Sequence, residues 1–318
     1  MQKPKISLIG AGAIGGTLAH LLFMKKYFDI VLLDVNPGTA SGKALDISQS
    51  SSINDSDALI VGTNDYSKIS ESKAIIVTTG IPRKPGMSRD DLITTNANII
   101  KSVAESIAKY APDAFVIIIT NPLDIMVQYF QEVSNMPHNK VIGMAGVLDT
   151  SRFTEFLAKE LNVSSSDIKT FVLGGHGDTM VPLIDYTTVG GIPLKQFIKN
   201  GAISQEKLDA IIQRTRQGGA EIVSLLGNGS AFYSPAHSAI KMVESYIFDR
   251  RNILPCAAYL NGEYGEKGIY VGVPVIIGKN GVEKILEVDL SSSEQKMMSD
   301  SISAVKNLLQ TLRNITKK

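Results

Sequence analysis

Lys5-Ile6-Ser7-Leu8-Ile9-Gly10-Ala11-Gly12-Ala13-Ile14-Gly15 decides the fold. An apolar run that short reads as a buried strand, and Gly10, Gly12 and Gly15 follow it in the G-x-G-x-x-G spacing. Gly10 permits a tight turn, Gly12 lets a pyrophosphate approach the backbone, and Gly15 lets helix and strand pack closely. Gly16-Thr17-Leu18-Ala19-His20-Leu21-Leu22-Phe23 continues as a helix. Its N-terminus offers free N–H groups and a positive dipole end to phosphates. A second apolar run, Ile30-Val31-Leu32-Leu33, ends in Asp34, about 20 residues beyond the glycines, where a carboxylate can accept hydrogen bonds from a ribose. Strand, glycines, helix, strand and terminal acid in this order point to dinucleotide binding, with a Gly-rich turn of another α/β protein such as a methyltransferase as the alternative. An acid at Asp34 favours NAD over NADP, because it would repel a 2′-phosphate.

Outward from this unit the first half alternates strand and helix. A Gly/Ser-rich helical segment spans Pro37 to Ser51, and short apolar runs follow at Ala58–Val61 and Ala74–Val77. A Pro/Gly-punctuated loop runs from Ile81 to Arg89, and Leu92 to Tyr110 reads as a helix stopped before Pro112. Then come a run at Phe115–Ile119, a helix from Pro122 to about Val133, and a run at Lys140–Gly143. Apolar runs separated by helices predict a doubly wound parallel sheet. The second half changes character. It has helices at about Asp149–Leu161, Ser204–Leu226, Ser234–Phe248 and Ser292–Arg313, with strand-like runs around Phe171–Leu173, Val181–Val189, Ile253–Leu260 and Ile269–Ile277. Asn261-Gly262 and Asn280-Gly281 are hairpin turn dipeptides. An α+β domain is expected there, with the boundary near residue 145, dividing the chain into 1–145 and 146–318.

The whole chain narrows the function classes. Its 318 residues suffice for two domains, and a formal net charge of +1 gives no reason to expect nucleic acid or an anionic membrane as partner. Cys256 is the single cysteine, which excludes an internal disulfide and a multi-cysteine metal site. His20, His138, His176 and His237 show no pair at metal-ligand spacing, so no metal is expected. No apolar run approaches a membrane span, and the first residues carry no signal pattern, so a soluble, cytoplasmic protein is expected.

Four constellations could carry chemistry. In Leu173-Gly174-Gly175-His176-Gly177-Asp178, a histidine bracketed by glycines suits a general acid/base reaching into a cleft; taken alone, a structural loop histidine explains it better. Asp149 and Arg152 share one helix face at i,i+3 spacing. They are either a surface ion pair or an acid that orients a histidine beside a guanidinium that grips a carboxylate. The loop from Ile81 to Leu92 frames Arg83, Lys84 and Arg89 with two prolines and a glycine. It is either a solvated basic loop or a lid delivering cations to an anionic substrate. In Thr120-Asn121-Pro122-Leu123-Asp124, Asn121 can turn its amide into the same cleft or serve as a turn or helix cap.

Together these motifs resemble the lactate/malate dehydrogenase family, in its lactate-dehydrogenase-like branch and on the malate side, over essentially the whole chain. The resemblance implies an N-terminal Rossmann domain and a C-terminal α+β catalytic domain. It implies that NAD is held by Gly10, Ala11, Gly12, Ala13, Ile14, Gly15 and Asp34, with Asn96, Ile119, Thr120 and Asn121 also lining the cofactor site. By the same resemblance His176 is the proton donor and acceptor, Asp149 its partner, and Arg152 the clamp on the substrate's C1 carboxylate. Asn121 also contacts substrate, Arg89 is the lid arginine that polarises the reacting carbonyl, and Arg83 binds a second carboxylate. Lactate dehydrogenases usually carry an uncharged residue at that last position. The implied activity is reversible oxidation of (S)-malate to oxaloacetate, a tricarboxylic acid cycle step, in a homotetramer or homodimer. L-lactate dehydrogenase is the nearest alternative, and Arg83 argues against it, since a buried guanidinium facing pyruvate's methyl group would be unpaired. An NAD-binding glycosidase of related fold and a non-catalytic nucleotide-binding protein are alternatives from other classes.

Overall fold

The opening stretch folds as its glycines require. β1 (Lys5–Ile9) enters a turn, and α1 (Ala13–Met24) leaves it, burying Gly15, Leu18, Ala19, Leu22 and Phe23 along one face at helical spacing. β2 (Asp29–Leu33) pairs parallel with β1 in full register, Lys5 opposite Asp29 and Ile9 opposite Leu33. The computed structural model describes residues 3–81, 88–227 and 229–316.

The alternation continues with α2 (Pro37–Gln49), the single turn α3 (Ser51–Asn54), β3 (Ile60–Thr63), β4 (Ala74–Val77), α4 (Arg89–Tyr110), β5 (Phe115–Ile118), α5 (Leu123–Ser134) and β6 (Val141–Gly143). These strands lie parallel in the order β3-β2-β1-β4-β5-β6. That is the doubly wound Rossmann arrangement, and the strand order reverses between β1 and β4. Every residue of β4 and β5 is buried, as expected for strands covered on both faces. β3, at the edge, leaves Val61 48% exposed, so its apolar pattern is the weakest of the set.

The second half contains α6 (Gly146–Leu161), β7 (Ile168–Lys169), β8 (Val172–Leu173), β9 (Val181–Pro182), β10 (Thr188–Val189), β11 (Ile192–Pro193), α7 (Leu194–Lys199), α8 (Gln205–Leu226), α9 (Tyr233–Ile247), β12 (Asn252–Asn261), β13 (Lys267–Gly278), β14 (Gly281–Ile285) and α10 (Ser292–Thr316). Its long strands do not form a separate sheet. β12 pairs antiparallel with β6 through Ala257 and Gly143, and β13 and β14 follow, so one nine-stranded sheet runs from β14 to β3. The expected run at Val181–Val189 is two short strands, because residue 183 onward turns and β10 pairs with β7 and β11 instead.

Two apolar clusters result. The larger packs both faces of the great sheet; the smaller gathers Phe153, Leu157, Ile168, Val172, Met180 and Leu208 beneath α6, α8 and the short strands. α6 belongs to both, giving Leu148 to the first and Phe153 to the second. A helix held on two sides is a rigid mount for the polar residues between those two positions.

Candidate active site

The glycine turn is built as the spacing predicts. Gly10 sits at φ +106°, where a Cβ would lie 2.7 Å from Thr78 Oγ1. A Cβ on Gly15 would stand 1.7 Å from the Gly10 carbonyl oxygen, so any side chain there would force helix and strand apart. A Cβ on Gly12 would meet nothing within 4 Å, leaving open space above the turn. Gly12 caps α1 without any side-chain hydrogen bond, so the first-turn N–H groups face that space unclaimed by a cap. Asp34 ends β2 and holds the turn directly: Ala11 N–H donates to Oδ2 at 2.7 Å, and Asn36 N–H donates to Oδ1 at 2.9 Å. Lys43 Nζ donates to the carbonyls of Ala11 and Gly12 at 2.7 and 3.0 Å, a brace that no motif in the sequence announces.

A cavity of about 350 Å³ opens over this turn, lined by Gly12, Ala13, Ile14, Asn96, Ile119, Thr120 and Asn121 among others. It lies where the strand order reverses, the usual ligand crevice of such sheets. Asn96 is buried, and its amide is spent on main chain: it accepts from Ile81 N–H at 2.9 Å and donates to Asn121 O at 2.8 Å. It therefore shapes the wall. The Thr120 hydroxyl donates to the Thr79 carbonyl. Thr79 Oγ1 is buried without a hydrogen-bond partner among the described residues, beside the same cavity. An orphaned hydroxyl, an uncapped helix start and an open glycine fit a polar, phosphate-bearing ligand.

A second cavity of about 340 Å³ continues from the first and shares Ile14, Ile119, Asn121 and Ser230 with it. On its far side stand His176, Arg152 and Arg216. The i,i+3 pair is not a surface ion pair. Asp149 is 1% exposed; its Oδ2 lies 2.8 Å from His176 Nδ1 and its Oδ1 3.3 Å from Arg152 Nη1. The carboxylate thus fixes the ring through Nδ1, leaving Nε2 as the other exchangeable position. Burial pulls the imidazole's pKa down, but the charge and hydrogen bond of Asp149, joined by the charge of Asp124, outweigh it, so it lies above the ordinary histidine value despite Arg152.

Arg152 fits because α8 makes room. A Cβ on Gly218 would lie 3.0 Å from Arg152 Cδ, and one on Gly219 would lie 3.6 Å from Arg152 Nη2. The sequence signal for this is the Gly218-Gly219 pair inside an otherwise amphipathic helix, whereas Arg216 carries no signal that sets it apart from the other cations of α8. Arg89 is not brought to this group: it stands exposed on the first turn of α4, outside the lining of both cavities. Arg83 and Lys84 lie outside the described residues. His20 and His237 stand apart on α1 and α9, and His138 stacks on Tyr259 with ring centroids 3.5 Å apart. Among the described residues no cluster of three or more His, Cys, Asp or Glu could hold a metal, and no helix is long and apolar enough to cross a membrane.

A phosphate-ready glycine turn on one side and a carboxylate-bound histidine on the other are the two halves of a dinucleotide-dependent oxidoreductase site. Residues 4–143 match the NAD binding domain of the lactate/malate dehydrogenase family, and residues 146–316 match its alpha/beta C-terminal domain. The chain belongs to that family. It is 48% identical to a malate dehydrogenase of Cryptosporidium parvum, over 98% of this chain and 100% of that one, with a TM-score of 0.96. It is 49% identical to the lactate dehydrogenase of Cryptosporidium parvum, solved with lactic acid and β-nicotinamide adenine dinucleotide, over 99% of each chain at a TM-score of 0.96. A malate dehydrogenase of Plasmodium falciparum is 43% identical, over 98% of this chain and 99% of that one, at a TM-score of 0.95.

Proposed function

We propose that the chain is an NAD-dependent malate dehydrogenase that interconverts (S)-malate and oxaloacetate, a step of the tricarboxylic acid cycle. The observation that carries the choice of substrate is Arg83, six residues before Arg89 in the sequence. Oxaloacetate brings one more carboxylate than pyruvate, and a guanidinium offers it a bidentate match.

When bound, the nicotinamide would supply the hydride for reduction and accept it for oxidation. The glycine turn from Gly10 to Gly15 would hold the pyrophosphate and Asp34 the adenosine ribose, with Ile119, Thr120 and Asn121 lining the nicotinamide side of the cavity. His176 gives a proton to the substrate oxygen in reduction and takes it in oxidation. Asp149 supports this by holding Nδ1, 2.8 Å away, and by stabilising the imidazolium. Arg152 clamps the carboxylate next to the reacting carbon, and Arg89, exposed on the first turn of α4 and outside both cavities, would polarise the carbonyl once that turn moves toward the substrate. We further propose a homotetramer or homodimer, which light scattering on the purified protein measures.

Steady-state assays with NADH and either oxaloacetate or pyruvate test the reading. Oxaloacetate is expected to be the better substrate, and Arg83→Gln to lower its kcat/KM by at least about tenfold, the equivalent of 1.4 kcal/mol, while sparing pyruvate. Preference for pyruvate in the unmodified enzyme would identify a lactate dehydrogenase. An unchanged oxaloacetate-to-pyruvate ratio in the variant would remove Arg83 as the selector.

A further inference from the structure

Three successive main-chain N–H groups seat the histidine loop, each on a different element. Gly174 N–H donates to Gly272 O of β13 at 2.8 Å, Gly175 N–H to Ser301 Oγ of α10 at 2.8 Å, and His176 N–H to Asp124 Oδ2 of α5 at 3.0 Å. A carbonyl and a hydroxyl serve the first two. The third acceptor is a carboxyl group, 5% exposed, whose other oxygen is buried with no hydrogen-bond partner among the described residues. Burying a carboxylate is costly where a neutral acceptor would complete the same bond. Its place in the first turn of α5, at the positive end of the helix, offsets only part of that cost. The loop admits it closely: a Cβ on Gly175 would stand 3.4 Å from Asp124 Oδ2.

What the carboxylate adds over a hydroxyl is charge. Among the described residues, the charged groups around His176 are Asp149 and Arg152 on α6, Asp124 on α5, Arg216 on α8 and Asp178 on its own loop. The facing parts of α10 and β13 bring Ser301, Val305 and Gly272. Taking His176 as the proton donor, we propose that Asp124 is its positioning residue, seating the loop main chain from beneath and supplying, with Asp149, the negative charge that holds the imidazolium. Burial pushes the Asp124 carboxyl up to about 6, against the lowering influence of the His176 charge and N–H. Each charge thus favours the other's ionised form, Asp124 raising the imidazole and His176 lowering the carboxyl.

The test uses the purified enzyme with NADH and whichever of oxaloacetate and pyruvate it reduces faster. Asp124→Asn is close in shape and keeps an acceptor for the His176 N–H while removing the charge. Its kcat/KM for reduction should lose its alkaline limb at a pH lower than wild type by at least about half a unit, with NADH affinity within about twofold. Asp124→Ala also removes the acceptor; its kcat should fall at least about tenfold, with most of the loss regained by the asparagine variant at low pH. A profile for Asp124→Asn that superimposes on wild type overturns the proposal, whatever the alanine variant does. Should the alanine variant fail to fold by circular dichroism, the asparagine profile still decides. His176→Asn separates the two ideas: wild-type turnover in that variant overturns the role of His176 itself.

Discussion

At the scale of single residues, the histidine and the acid that ends β2 make separable demands. The asparagine side chain of His176→Asn has no group that can release and take back a proton as the imidazole does at Nε2. Turnover should therefore fall by about 10²–10⁴-fold, the usual worth of a positioned acid/base, with NADH binding unchanged by fluorescence titration. Collapse of NADH affinity with surviving turnover would reverse that assignment. The raised imidazole pKa fixes the sign of the pH dependence. With His176 as the proposed proton donor, reduction needs the imidazolium, so its kcat/KM should fall as pH rises through a value above the ordinary 6.5, while oxidation of the 2-hydroxy acid should rise over the same interval. Asp34 has a task besides the proposed ribose contact, because it takes the Ala11 N–H. Asp34→Ser should relax the preference for NADH over NADPH by about tenfold or more, and should also raise KM for NADH by loosening the turn. Equal efficiency of the unmodified protein with both cofactors would contradict the anion-repulsion argument. The glycines, Asp34, Asp149, Arg152 and His176 were legible because their chemistry shows in residue type and order. Lys43 was not, since a lysine on an exposed helix face carries no mark of the carbonyls it reaches.

At the scale of elements, caps and partners explain where the sequence reading stopped short. α4 begins at Arg89, three residues before the first periodic leucine, because Ser88 and Asp91 form a capping box in which Asp91 N–H donates to Ser88 Oγ and Ser88 N–H to Asp91 Oδ2. α7 and the strands β7, β10 and β11 are too short for any periodicity to show; β10 pairs locally with β11 across Gly190-Gly191, and β7 joins them from a distant part of the chain. α8 shows the opposite case, a visible departure with a hidden reason. Glycine in a helix interior costs roughly 0.5–1 kcal/mol relative to alanine, and Gly218 accepts that cost beside Arg152. Gly218→Ala should thus leave the melting temperature unchanged or raised, while the new methyl, 3.0 Å from Arg152 Cδ, shifts the guanidinium. The expected result is a severalfold higher KM for the 2-oxo acid with NADH affinity unchanged. An unaltered KM would show that Arg152 tolerates the shift, and would weaken its assignment as the clamp.

At the scale of the whole molecule, the apolar runs of β12 and β13 and their turn dipeptide were readable as a hairpin, but its destination was not. The hairpin joins the parallel sheet at one place, where Ala257 meets Gly143 and a Cβ on Gly143 would stand 2.9 Å from the Ala257 Cβ. Two small residues allow that approach, and nothing in their local sequence names them as partners. The consequence is mechanical. β6 belongs to the half that holds the glycine turn, and β12 to the half that holds His176, so the strands shared between them cannot separate without exposing Ala257, Cys256 and Val273, all buried. Unfolding either half strips apolar cover from the other, and cooperativity follows from that shared burial. Calorimetry should therefore give one transition for both halves. NADH at about 100 times its dissociation constant stabilises the folded state by about 2.7 kcal/mol, which for a chain of this size raises the midpoint by roughly 5 °C. Because the sheet is continuous, the whole endotherm should move together, although the match to the NAD binding domain covers only the first half. Two resolved endotherms, with NADH displacing only one, would show that the β6–β12 junction does not couple the halves.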